Sequence, residues 1–254
     1  EDYTARGKII TPLKDRIGSE IQTHYPETVD IGVSITRQEA WTGRGDRQIR
    51  IPDFIEELVE RVAFEARTDK RIDRRSGVSQ RMPITVTENI VSNAERRTLR
   101  TGETEIVPRV ADVYAAMPSI TGKIELEYEG ELIGGQAIAR ELIRRAADAT
   151  LRERAGVVNA DEVVMWFDVG GALEVTDDAS AEMLVKGFAS VPTLLDIVRD
   201  VGLASKTDVA MTAAACELVL EALVARKKIS RTDAGRYGRA VQEQRRRPNQ
   251  DLFG

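Results

Sequence analysis

Cysteine and histidine are nearly missing from this chain: Cys216 and His24 are the single examples among 254 residues. One cysteine excludes an internal disulfide and a cysteine-rich metal site, and one histidine excludes a histidine cluster. Triads of the Ser-His-Asp kind would all have to share His24, which reads instead as a polar residue at the end of an extended segment. Cys216 lies in the apolar run "AMTAAACELVLEALVA", where a buried, inert thiol is expected, a pattern suited to a reducing cytoplasm. Aromatic residues are few, at 5%, and Ala, Leu, Arg and Glu are plentiful, which tilts the chain towards helix. No stretch approaches the ~20 apolar residues of a membrane span. The opening "EDYTARGK" has no signal-peptide layout, and so abrupt a start suggests a piece of a longer chain.

What is present is ordinary for a soluble globular protein, with 42% hydrophobic and 31% charged residues. "IPDFIEELVERVAFEARTDKR" (51–71) is the clearest helix, because Phe54, Ile55, Leu58, Val59, Val62, Ala63 and Ala66 form one apolar stripe. Further helices are predicted over 83–99, in "VPRVADVYAAM", over 132–155 with a stop at Gly156, and over 160–167, 178–188, 192–201 and 207–226. Residues 27–41 fit a helix as well, despite Gly32 and several β-branched residues. "GKIELEYEGE" (122–131) alternates Ile124, Leu126 and Tyr128 with glutamates and predicts a strand or hairpin arm. The tail "QEQRRRPNQDLFG" is polar and Pro-broken, and is expected to fray.

Charge is distributed unevenly. The net charge is −5, yet residues 67–100 carry nine Lys or Arg against four Asp or Glu. The cations crowd "RRSGVSQRMPITVTENI", a loop with one Gly and two Ser that runs into a helix. A basic loop entering a helix can aim backbone N–H groups and guanidinium groups at one anion. The alternative is an arginine-rich solvated face paired with Glu88, Glu95, Asp69 and Asp73. The Gly122-Lys123 pair invites a P-loop reading and fails it, since Met117 holds the first glycine position and Ile124 the hydroxyl position. Carboxylates in "EYEGE" and "TDDASAE" read as acidic surface, and no metal site is expected. "VLEALVARKKISRTDAGRYGRAVQEQRRR" has the outline of helix, turn and helix with a basic end. The acidic whole-chain balance argues against nucleic acid all the same.

Two segments, in order, resemble AAA+ ATPases of the MoxR and magnesium-chelatase I-subunit branch. "ITPLKDRIGSEIQTHYP" is similar to the end of that nucleotide-binding core, where an L-x-D-R element carries an arginine to the neighbouring subunit's γ-phosphate. The matching residue is Arg16. "SGVSQRMPITVTENIVSNAERR" resembles the sensor-2 region, where G-x-S-x-R opens a lid helix and its arginine touches nucleotide in its own subunit. The matching residue is Arg81. The motifs cover about the first 100 residues.

The resemblance implies a mainly α fold: a small remnant of the α/β core over 1–25, a helical lid over 26–131, and a helical C-terminal extension over 132–254, with one short strand or hairpin. It implies ATP and Mg2+ in the full-length protein, a ring-forming homo-oligomer, and a partner with a von Willebrand factor A domain. Hydrolysis would drive remodelling of that partner or metal insertion, in the cytoplasm and without a membrane. The P-loop, the Mg2+-binding acidic motif and sensor 1 would precede Glu1, so this chain alone is expected to be inactive. The competing expectation is a non-enzymatic helical interaction module; a helix-turn-helix nucleic-acid binder stands third.

Overall fold

The computed structural model describes residues 16–19, 21–43 and 45–240. Residues 21–26 form no helix or strand, and Thr28 then opens α1 (Val29–Glu39) by accepting from Ile31 N at 3.3 Å. Pro52 precedes α2 (Asp53–Thr68), whose first turn carries Asp53 and Glu56, favourable at the positive end of a helix dipole. The predicted stripe from Phe54 to Ala66 is buried as expected. Helix α3 (Arg81–Thr101) follows the basic loop and stops at Gly102, which is left-handed. Short helices α4 (Val110–Ala115) and α5 (Met117–Thr121) come next, then α6 (Tyr128–Ile133) and the long α7 (Gly135–Ala155), which ends at Gly156. Helices α8 (Asp161–Asp168), α9 (Ala181–Phe188), α10 (Leu194–Asp200) and α11 (Val209–Ala225) complete the helical set.

Two helices organise the packing. α7 lies between α2 and α11, burying Ile138, Leu142, Ile143, Ala146 and Leu151. α11 is apolar all round and is enclosed on every side, with α4, α7, α9 and α10 against it. One hydrophobic core runs from Phe54 to Tyr237, so side chains on both sides of residue 131 share it. A boundary after Glu131 would fall inside α6.

Strands are few and short. β1 (Gln48–Ile49) pairs in parallel with β2 (Glu105–Ile106), placing Gln48 opposite Glu105 and Ile49 opposite Ile106. β3 (Leu173–Glu174), β4 (Ile229–Arg231) and β5 (Arg236–Arg239) form an antiparallel sheet with β5 in the middle. The chain is thus mainly helical with small sheet elements among the described residues.

Two expectations are corrected. The arm predicted over 122–131 is not a strand: it makes one bridge, Ile72 with Leu126, and then winds into α6. Asp73 N donates to Glu125 O and Glu127 N to Arg71 O, both at 2.9 Å, after which Glu129 and Glu131 sit in the first turn of a helix, where their charge is favoured. The helix-turn-helix outline also fails. Beyond α11 the chain forms the β4–β5 hairpin, because "TDAG" closes a turn in which Gly235 takes φ +82° and donates to Thr232 O. The reading of 1–25 as the end of an α/β core falls largely outside the described residues, and those of its residues that are described form no helix or strand; the fraying expected of the tail lies outside them as well.

Candidate anion-binding loop

Between α2 and α3 the chain turns through residues 69–80, and of the four cations there Arg71 is the one whose side chain is engaged among the described residues. Asp69 closes α2 and is 5% exposed at its side chain. It accepts from Arg71 N, from the Arg71 guanidinium at 2.8 Å and from Arg145 Nη2 at 2.7 Å. These hydrogen bonds, Arg71 foremost, hold its carboxyl well below the usual carboxylate range. Deeper in, Arg97 is 4% exposed at its side chain and binds Asp112 at 2.6 Å and Val107 O at 2.7 Å.

The loop's own backbone donors are engaged too. Asp73 Oδ1 accepts from Arg75 N at 2.7 Å and Oδ2 from Ser76 Oγ at 3.1 Å, and Ser76 Oγ also reaches Glu125. The backbone N–H of Arg75 lowers the Asp73 carboxyl. Arg81 N points at Ser79 Oγ, Met82 N at Ser79 O and Ile84 N at Gln80 O, and Pro83 has no N–H. An incoming anion therefore finds side chains here rather than a backbone cradle. That corrects the expectation of a helix N-terminus aimed at phosphate.

Underneath, a buried chain of contacts holds the loop against α1 and α2. Arg67 donates from Nε to Val78 O and from Nη2 to Gln80 Oε1, each at 3.0 Å. Gln80 Nε2 donates in turn to Glu60 Oε2 at 2.8 Å, with Gly32 O and Thr36 Oγ1 at 3.3 Å. Glu60 is buried, and burial pushes its carboxyl up against the opposing pull of Gln80 and Arg67. Burial likewise lowers Arg67, which Glu60 partly offsets. Beside the loop lies an open pocket of about 300 Å³ lined by Tyr25, Arg67, Thr68, Asp73, Arg74 and Gly77.

Arg81, the first residue of α3, stands exposed on this rigid base, with no ion pair to its guanidinium among the described residues. Arg74 is likewise exposed and unpaired there. Arg16 lies in an exposed turn of the leading segment. Among the described residues, no three His, Cys, Asp or Glu side chains gather to hold a metal ion.

The supporting residues Tyr25, Glu60, Arg67 and Gln80 were not anticipated from sequence. Glu60 carried the one readable signal, a carboxylate beside Val59 and Val62 on the buried side of α2. A similar signal sat in α11, where Glu217 and Glu221 interrupt an apolar helix four residues apart. Both are buried: Glu217 lies 3.0 Å from Arg109, and Glu221 accepts from Tyr114 and Tyr237 at 2.6 and 2.8 Å. No family model matches the chain, and no curated protein or solved structure matches it either.

Proposed function

We propose that this chain is the lid and helical extension of an AAA+ ATPase similar to MoxR proteins and magnesium-chelatase I subunits. The observation that carries the reading is Arg81: an exposed guanidinium without a carboxylate partner among the described residues, at a helix start that Gln80 anchors to Arg67 and Glu60. Such a cation fits a phosphate oxygen through paired N–H groups. Arg81 would meet ATP bound by its own subunit, and Arg16 would reach ATP in a neighbouring subunit. Mg2+ would be held by the nucleotide-binding core that such an ATPase carries.

In phosphoryl transfer to water, cations positioned around the transferring group lower the barrier by stabilising its developing charge. Arg81 would also couple the nucleotide state to rotation of the lid, the step by which hydrolysis becomes movement of a partner. A homo-oligomeric ring, a partner with a von Willebrand factor A domain, and remodelling or metal insertion as the outcome belong to the same reading.

The test is ATP turnover by the full-length protein. Arg81→Ala is expected to lower it on the order of 10²-fold, and Arg16→Ala ~10³-fold or more with ATP binding retained. Unchanged turnover in either variant rejects that residue's assignment, and Arg74 is the next arginine of the loop to substitute. A second reading, a helical interaction module, draws on α6, which leaves Tyr128 74% and Leu132 73% exposed. A full-length protein that binds no ATP would favour it.

A further inference from the structure

Tyr25 belongs to the segment before α1, yet it touches the loop more than fifty positions further on. Its hydroxyl accepts from Val78 N at 3.2 Å, and the Arg67 guanidinium lies 4.5 Å from its ring centroid. Pro26 restricts Tyr25 to extended backbone, and α1 begins just beyond, at Val29, so the ring is delivered from a fixed direction. Gly77 is the complementary half of the contact. It takes φ +66°, and a Cβ there would stand 2.3 Å from the Tyr25 hydroxyl oxygen.

The loop's two ends are held very differently. Gln80 is anchored on buried Glu60 at the start of α3. The other end carries exposed Arg74 and Arg75, and Tyr25, itself 47% exposed, lies outside the hydrophobic core and beside an open pocket. Withdrawing the ring breaks the hydrogen bond from Val78 N and the cation–π contact and uncovers Gly77, while Val78 itself stays buried and bonded through its carbonyl to Arg67. We propose that Tyr25 is a releasable latch through which the segment preceding α1 sets whether the exposed 74–77 end of the loop is closed. Gln80 and the start of α3 stay in place when it opens. The inference rests on these contacts and not on the ATPase reading.

Site-resolved tryptic cleavage of the full chain tests it, because Arg74 and Arg75 are exposed cleavage points within the loop. Cleavage of a locally opening segment follows the population of the open form. Tyr25→Phe, which keeps the ring and loses the hydroxyl, is expected to speed cleavage after Arg74 and Arg75 about fivefold, and Tyr25→Ala roughly 10- to 30-fold. Cleavage after Arg97, buried within α3, reports global opening and is expected to be unchanged. Unaltered loop cleavage overturns the latch, as does equal acceleration at Arg97, which would make Tyr25 a general stabiliser. No nucleotide enters the measurement, so its result is separate from that of the Arg81 test.

Discussion

Asp69 shows how one residue can take up the positive charge that crowds this stretch. Buried at the end of α2, it gathers Arg71 from its own turn and Arg145 from α7, 76 positions away. Its folded carboxyl is depressed, so its stabilisation is fully present above the ordinary carboxylate value of about 3.9. That stabilisation is lost as pH falls through the lower folded value. Asp69→Asn is expected to cost roughly 2–3 kcal/mol at neutral pH and to flatten the loss of stability on acidification, as read by urea unfolding at several pH values. The helix that follows the basic loop was legible from the Pro83 start and the apolar spacing after it. The loss of the backbone cradle was not, because Asp73 and Ser79 claim those N–H groups only through the turn they adopt.

At the scale of elements, caps and periodicity placed most helices to within a few residues. Gly156 ends α7 as expected, whereas α3 runs past the expected residue 99 to Thr101 and stops at Gly102. Asp208 does more than its sequence position suggests. It caps α11 by accepting from Met211 N at 3.0 Å, and it pairs with Arg50, which grips Glu105 as well. One side chain therefore fixes the start of α11 to the β1–β2 pair. Asp208→Ala is expected to cost about 1 kcal/mol for the cap and a further 0.5–1 kcal/mol or so for the part-exposed ion pair. Asp208→Asn keeps the cap and is expected to lose only the second share. Urea midpoints of the two variants check the split.

Across the whole molecule, a buried polar seam ties the early and late helices together. Arg109, 2% exposed, donates to Thr176 O and Ala179 O at 2.8 Å and lies against Glu217, whose other oxygen accepts from Ala111 N at 2.7 Å. Burial pushes the Glu217 carboxyl up and Arg109 opposes the shift. Glu217→Ala strands a buried guanidinium and is expected to cost ~3–5 kcal/mol. Because one core spans residue 131, far-UV circular dichroism and the fluorescence of Trp41 and Trp166 are expected to report a single unfolding transition. Two separate transitions would place independent units on either side of that residue.

The amino-acid order alone determined where most of the helices lie and which faces they bury, along with the burial of Cys216, whose thiol is pushed up by its surroundings. Those properties follow from spacing within one turn or one run. Tertiary structure decided that 122–131 winds into α6, that Arg67, Arg71 and Arg97 are engaged while Arg81 stays exposed, and that Tyr25 reaches Val78. Each of these depends on a partner far away in the chain, and such a contact leaves no periodic mark on the sequence that makes it.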